Sequence, residues 1–379
     1  MRRYTRRRRR LHPYNTESIG SKHAEREEVV APCLAARIEL PINRIEVQGC
    51  LSGRIGEFEN LLKELEMCQD NGMFKEHDQL VTEKIRYYEG RKNFTMVWVL
   101  KIEKSATYSY QNKWKQARKQ LVSVIYSDLM VEYSNLIKAR ALYLLVAHMR
   151  RKKKYRKSKT GLSCLLNYLD ESKQLLHGYN SPEDWAELYQ TYGCVRMDYA
   201  SQLPLDKRKV EEEKAMDCFR RAIYFSKQDD RERVQMKRQS YVHLKLAMKH
   251  LGCCSAFPLA QENHLPLNDI KEAEKHLDIV QSNFGDTIPT ATTMLLLKAQ
   301  SYLFYCQGKH QLARDKAVDA HECALRHGFN TELNILKERK DFHQKELETH
   351  NQILSGKLKC PKCQFFFFFF FARLILQFT

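Results

Sequence analysis

Apolar residues along most of the chain recur at the spacing of one face of an α-helix. The clearest example is Ala215, Phe219 and Ala222, which stand at i, i+4 and i+7 and therefore share a helical face. The same spacing returns in four further triplets: Ala117/Leu121/Val124, Ser158/Leu162/Leu165, Ala273/Leu277/Val280 and Ala313/Ala317/Ala320. A small residue at the head of each triplet allows a neighbouring helix to approach closely. The pattern predicts an internal repeat built from packed helices.

The segment that precedes the best-spaced triplets supports this interpretation. A small residue and an aromatic residue three positions later stand before the triplet, as Ser105 and Tyr108 do before Ala117. Such spacing predicts two antiparallel helices joined by a short turn. At these positions the sequence resembles the tetratricopeptide repeat (TPR) family, whose unit is a helix pair with small and aromatic residues at these offsets. The triplets begin 40 to 58 residues apart, whereas the family unit has about 34 residues, so we expect insertions in some pairs.

The resemblance implies an all-α fold, a TPR-like α-solenoid of about five to six antiparallel helix pairs. We expect it to occupy residues 53–355, with a charged final helix over residues 332–354 that covers the last pair. Ser181-Pro182-Glu183-Asp184 predicts a helix start with a serine N-cap and proline at the first position. After a break near Pro204, the partner helix is expected over residues 210–227.

The two ends of the chain differ from this body. Residues 1–52 carry an arginine run and no sustained period, so we expect a basic, largely disordered segment. The run is typical of a nucleic-acid arm or a nuclear signal, and equally of a solvated or wrongly predicted start. Residues 356–379 hold a run of seven phenylalanines, too short for a membrane span and without amphipathic spacing. We expect a disordered tail or an alternative exon end there.

Cys360 and Cys363 have the C-x-x-C spacing of half a zinc site. A structural zinc site needs four ligands, and no second pair follows. We therefore expect no cofactor, with zinc at this knuckle as the weaker alternative. The 12 cysteines are scattered through helical patterns, which favours a reducing compartment over a disulfide framework. No secretory signal pattern is present.

The net charge of +18 is concentrated in two places. The arginine run and the block over residues 150–159 hold 15 of the 64 basic residues, and the other 49 nearly balance the 46 acidic ones. The second block is a basic patch made of Arg150, Arg151, Lys152, Lys153, Lys154, Arg156, Lys157 and Lys159. It resembles a nuclear import signal, could equally contact phosphates or acidic lipid, and has a solvated loop as its plain alternative. A cytoplasmic protein with access to the nucleus is the expected localisation.

No catalytic motif is found. The chain lacks both glycine-rich phosphate-binding patterns, and His321 and His327 do not have the spacing of a zinc-protease helix. We therefore expect a binding protein and not an enzyme.

The TPR resemblance implies a concave groove lined by the first helix of each pair. Carrying over the lining offsets of the family predicts this set: Tyr110, Arg140, Tyr143, Lys237, Tyr241, Lys245, Lys298, Tyr302 and Tyr305. Tyrosine and arginine often carry interface energy, and the lysines favour an acidic peptide. The alternative for any one tyrosine is packing between helices.

Two functions remain open. The first is a protein–protein interaction scaffold whose groove takes an acidic segment of a partner. The second is an RNA-binding protein resembling the interferon-induced members of the TPR family, which hold RNA in a basic cavity. Charge placement discriminates between them: convergence of the basic side chains in one cavity favours RNA, and a basic block that projects away from the groove favours the scaffold. The partner's identity and the oligomeric state do not follow from the sequence.

Overall fold

Thirteen α-helices make up the part of the chain that the computed structural model describes, which is residues 56–355 without 129–130, 132, 152–154, 156–157, 230, 254–264 and 286. The helices are α1 (Gly56–Asp70), α2 (Phe74–Gly90), α3 (Phe94–Tyr110), α4 (Trp114–Tyr126), α5 (Ser134–Arg150), α6 (Lys159–Leu176), α7 (Pro182–Ala200), α8 (Leu205–Ser226), α9 (Glu232–His250), α10 (Leu267–Phe284), α11 (Thr290–Cys306), α12 (His310–Arg326) and α13 (Asn330–Leu354). These residues contain no β-strand, so the all-α prediction is confirmed for them.

A three-residue turn recurs between helices. Gly72, Asn112 and Gly308 each occupy the left-handed region, with φ between 62° and 76°. In each turn the next residue donates its backbone N–H five positions back, as Lys113 does to the carbonyl of Tyr108 at 2.8 Å. This is the Schellman arrangement, which satisfies helix carbonyls and reverses the chain. The helices joined through Asn112 and through Gly308 start 20 residues apart, so each of these two helix pairs spans 40 residues.

The residues of the five apolar triplets are buried in this packing, with one exception. Ser158 is half-exposed because it precedes α6 as its N-cap, where its hydroxyl accepts from the backbone N–H of Gly161 at 3.1 Å. The triplet headed by Ser158 therefore begins at a cap and not on a helical face.

One predicted helix start and one predicted cap need correction. Helix α8 begins at Leu205 and not at 210, because Pro204 precedes it and its carbonyl accepts from the backbone N–H of Arg208 at 2.9 Å. Proline at a helix start is favoured, since no intrahelical donor is lost. Ser181 does precede α7, but its hydroxyl donates to the carboxylate of Asp184 and does not cap the backbone.

Successive helices pack against one another, and a second set of contacts joins every other helix. The odd-numbered helices form a series in which α1 contacts α3, α3 contacts α5, and so on to α11. The series returns to its beginning, because α11 also contacts α1 and α13 contacts α3. The odd-numbered helices therefore face a common interior.

The ends of the series are joined by a set of contacts that we call the closure contact. It consists of Asn71, Gly72, Phe74 and Tyr110 on one side and Thr290, His327, Phe329 and Thr331 on the other. The Thr290 hydroxyl donates to Oδ1 of Asn71 at 2.9 Å, and Nδ1 of His327 donates to the Asn71 carbonyl at 3.0 Å. The Phe329 ring packs edge-on against Phe74, with 5.8 Å between centroids. Aromatic packing and hydrogen bonds thus bring into contact residues that are as far as 256 positions apart in the sequence.

Several predictions concern residues outside this description: the basic segment 1–52, the tail 356–379, and Cys360 and Cys363. Among the helices that are described, none is long and apolar enough to cross a membrane.

Candidate functional site

The interior that the odd-numbered helices face contains a cavity of about 550 Å³. All seven of these helices contribute to its wall, from Asp70 at the end of α1 to Glu332 at the start of α13. This volume lies in the range of protein sites that bind a small ligand or a short segment of a larger one.

The cavity wall carries an excess of positive charge. Six cationic side chains line it, namely Arg150, Arg151, Lys237, Arg238, Lys245 and Lys298. Three acidic side chains line it as well: Asp70, Glu187 and Glu332. Tyr110, Trp114, Tyr241 and Phe329 supply aromatic surface. A partly enclosed wall of this composition favours an anionic ligand, since charges act more strongly where water is excluded.

Some of the cations are held by tight ion pairs. Lys237 Nζ lies 2.9 Å from Asp70 Oδ2, and Arg150 Nε lies 2.7 Å from Asp198 Oδ2. Burial opposes the charge on Lys237, but Asp70 and Glu66 outweigh it and raise the lysine pKa. The side chains of Asp70 and Asp198 are only 3% and 2% exposed, so these pairs belong to the packed wall.

The pair formed by Lys298 and Glu332 is looser than these two. Lys298 Nζ lies 3.6 Å from Glu332 Oε2, beyond hydrogen-bond length, and the Glu332 side chain is 21% exposed. Burial would raise the pKa of Glu332, but Lys298, Arg151 and Lys245 lower it. One loosely held carboxylate therefore lies in the field of three cations.

A buried ionic network lies behind the cavity and joins helices α3, α5, α7 and α9. Arg140 is its centre, with Nη2 at 3.1 Å from Glu103 Oε1 and Nη1 at 3.7 Å from Asp184 Oδ1. The Tyr143 hydroxyl donates to Asp184 at 2.6 Å. Arg231 completes the network from the start of α9, 2.8 Å from Glu183 Oε2. Burial opposes ionisation of Glu183, but Arg140 and two further arginines lower its pKa.

The structure separates the predicted groove residues into two groups. Tyr110, Lys237, Tyr241, Lys245 and Lys298 line the cavity. The other four, Arg140, Tyr143, Tyr302 and Tyr305, are not part of its wall. Arg140 and Tyr143 belong to the buried network described above.

Tyr302 and Tyr305 are covered by α13. The guanidinium of Arg339 lies 3.6 Å from the centre of the buried Tyr302 ring. The Tyr305 hydroxyl donates to Glu346 Oε2 at 3.2 Å. Both tyrosines therefore pack between helices and do not line the cavity.

The basic block does not act as one unit within the described residues. Arg150 and Arg151 point into the cavity wall, whereas Lys159 is exposed on the first turn of α6. Lys152, Lys153, Lys154, Arg156 and Lys157 lie outside the described residues. The two arginines extend the cavity charge from α9 and α11 to the end of α5.

The described residues hold no group of three or more His, Cys, Asp or Glu side chains placed to bind a metal ion. Their seven cysteines are free thiols. Burial raises the pKa of Cys253, in the cavity wall, to about 12, so this thiol stays protonated at neutral pH.

The sequence reasoning missed Arg238, Glu187 and Glu332 as wall residues. Arg238 follows the predicted Lys237, and both side chains line the cavity. Glu332 lies on the helix expected only to cover the last pair. No sequence signal shows that α13 returns to α3, so the position of Glu332 depends on the closure contact.

Comparisons of the chain with protein-family models, with curated proteins and with solved structures give no match.

Proposed function

We propose that the chain is a non-enzymatic interaction scaffold whose helices enclose an acidic segment of a protein partner. Support comes from one observation above all: of the six cationic side chains in the cavity wall, Arg150, Lys237 and Arg238 are already paired with Asp198, Asp70 and Glu187, which leaves a small cationic excess and not a continuous track for phosphates. Carboxylates of a partner would complement this excess, which increases both specificity and the rate of association. Tyr241 adds an aromatic contact of the type enriched in interfaces.

The helix pairs are TPR-like in this proposal. Their short turns, small-residue triplets and every-other-helix contacts support it. A pair of 40 residues is longer than the family unit of about 34, which makes this a divergent solenoid whose groove is closed into a cavity. The free thiols fit the reducing environment of the cytoplasm or nucleus.

Affinity purification with the full chain tests the scaffold function. The wild type is compared with Lys245→Met/Lys298→Met, which removes two cavity charges while keeping side-chain length. The matched control is Lys119→Met/Lys207→Met, which removes two charges from exposed outer positions. We expect protein partners that survive nuclease treatment, bind the outer variant and are lost from the cavity variant. Partners retained equally by both variants would contradict the proposal.

RNA binding is the second candidate function. The observation in its favour is that Arg150 and Arg151 join the cavity cations, beside Trp114 and Tyr241, whose rings are suitable for base stacking. In the same purification, RNA binding predicts that the recovered material is mainly nucleic acid. That material would be released by raised salt and lost after nuclease treatment.

A further inference from the structure

Among the described residues of the cavity wall, Glu332 is the one carboxylate that is both loosely paired and partly exposed. Its Oε2 lies 3.6 Å from Lys298, while Asp70 lies 2.9 Å from Lys237 and is almost fully buried, and Glu187 is tightly paired with Arg238. Arg151 and Lys245 line the same cavity. The ammonium of Lys245 lies 4.7 Å from the Tyr241 ring centre, and this cation–π contact stabilises a positive charge in this part of the wall.

The backbone beside Glu332 is fixed independently of its side chain. The neighbouring Thr331 hydroxyl donates to the carbonyl of Tyr110 at 3.2 Å, and this anchors the first turn of α13 to α3. Arg151 reaches the same place, with Nη1 3.4 Å from the Ser109 hydroxyl. The Glu332 carboxylate can therefore leave the cations by side-chain rotation alone, without displacement of the helix.

We propose that Glu332 occupies, as an internal carboxylate, the anion subsite formed by Arg151, Lys245 and Lys298, and that a glutamate or aspartate of the partner replaces it on binding. This inference rests on the proposed scaffold function and defines its ligand chemistry. The start of α13 also favours negative charge in this place, because helix N-termini carry a partial positive charge. A partner carboxylate would keep that interaction when Glu332 rotates away.

Replacement of an internal competitor has a distinctive consequence. Removing the Glu332 charge strengthens binding, whereas removing a cation of the subsite weakens it. If Glu332 only stabilised the fold, removing its charge would not strengthen binding while removal of a cation weakened it.

The test measures binding of fluorescein-labelled hexaglutamate to the full chain by fluorescence anisotropy. Glu332→Gln keeps the size of the side chain and removes its charge, and we expect it to bind about three- to tenfold more tightly than the wild type. Lys298→Met and Lys245→Met are expected to bind about tenfold more weakly. The matched control is Glu338→Gln, an exposed position of the same helix, which is expected to bind like the wild type. Glu332→Ala serves as a second variant if the amide variant folds poorly, as checked by circular dichroism.

The outcomes separate this inference from the proposed function. Equal affinity of the wild type and Glu332→Gln, together with weaker binding by Lys298→Met, would overturn the role of Glu332 and leave the scaffold function intact. Weaker binding by Glu332→Gln would overturn it as well. Binding of oligouridine by a chain that does not bind hexaglutamate would overturn both proposals and favour RNA.

Discussion

At the scale of single residues, the buried ionic network makes stability depend on charges that are largely removed from water. Arg140 compensates Glu103, Glu183 and Asp184 at once. Exposed pairs such as that of Arg220 and Glu213 are screened by water and contribute little. Burying the network is costly, but removing one member is costlier, because the remaining charges lose their compensation.

Arg140→Met is therefore expected to lower the free energy of unfolding by about 3–5 kcal/mol. Arg220→Met also removes an arginine from an ion pair, but this side chain is 61% exposed, and we expect a change below about 0.5 kcal/mol. Urea denaturation of both variants measures the difference. Similar midpoints for the two would show that the network is not a source of stability.

The buried His77 gives the protein a specific sensitivity to acid. Its Nε2 accepts from the Gln69 amide at 2.9 Å, its Nδ1 is hydrogen-bonded to Thr107 at 3.0 Å, and burial lowers its pKa to about 4. The unfolded chain has a histidine pKa near 6.5 and so binds the proton first as the pH falls. The stabilisation by neutral His77 is thus complete above about pH 6.5 and is lost progressively towards pH 4.

We expect the wild type to lose about 2 kcal/mol more stability between pH 7.5 and pH 5 than His77→Gln, which cannot titrate there. Urea midpoints at the two pH values measure it. Parallel losses in both proteins would assign the acid sensitivity to other groups.

At the scale of elements, the turns decide where helices end and how closely they approach. Gly72 and Gly308 occupy equivalent turns with nearly the same backbone, at φ 76° and 74°. A Cβ at Gly72 would lie 2.1 Å from the carbonyl oxygen of His327 in the closure contact, while one at Gly308 would meet nothing within 4 Å. Comparing an alanine substitution at each glycine therefore distinguishes the cost of backbone strain from the cost of steric contact.

Gly308→Ala is expected to cost about 1 kcal/mol, which is the strain of a left-handed alanine. Gly72→Ala should cost about 1–3 kcal/mol more, because the carbonyl of His327 must move. Thermal unfolding of the two variants compares them directly. Equal losses of stability in the two variants would indicate that the carbonyl of His327 moves aside at no cost.

Most elements could be predicted from the sequence because their signals are local. The triplet headed by Ala215 predicted a buried helical face, and Gly308 predicted a helix end. The predicted start of α8 at 210 is wrong, because proline marks a break in one helix and also favours the start of the next. The cavity was predicted only in part. Lys298 follows from the lining offsets that the TPR resemblance implies, but Glu332 reaches the cavity only through closure of the series, which no local pattern specifies.

At the scale of the whole molecule, contact between the two ends of the helix series changes how readily the terminal helices unfold. In an open repeat array each unit contacts only its neighbours, so terminal units fray first. Here α1 contacts α11, and α3 contacts α13, so the terminal helices gain partners distant in sequence. The closure contact also shares Tyr110, Phe329 and Thr331 with the cavity wall, which couples closure to the candidate binding site.

Phe329→Ala tests this coupling, because the ring is fully buried and packs against both Phe74 and Tyr110. We expect a loss of about 3–5 kcal/mol and, under native conditions, faster amide hydrogen exchange in α1 and α13 than in the central helix α7. Phe219→Ala removes an equally buried ring between α7 and α8, and its effect should appear in those central helices. Hydrogen exchange read by mass spectrometry distinguishes the two patterns. Two outcomes would contradict this: α1 and α13 already exchange fastest in the wild type, or both variants increase exchange in the same helices. Either would mean that the closure contact does not hold the ends of the series, and that the cavity wall opens readily on that side.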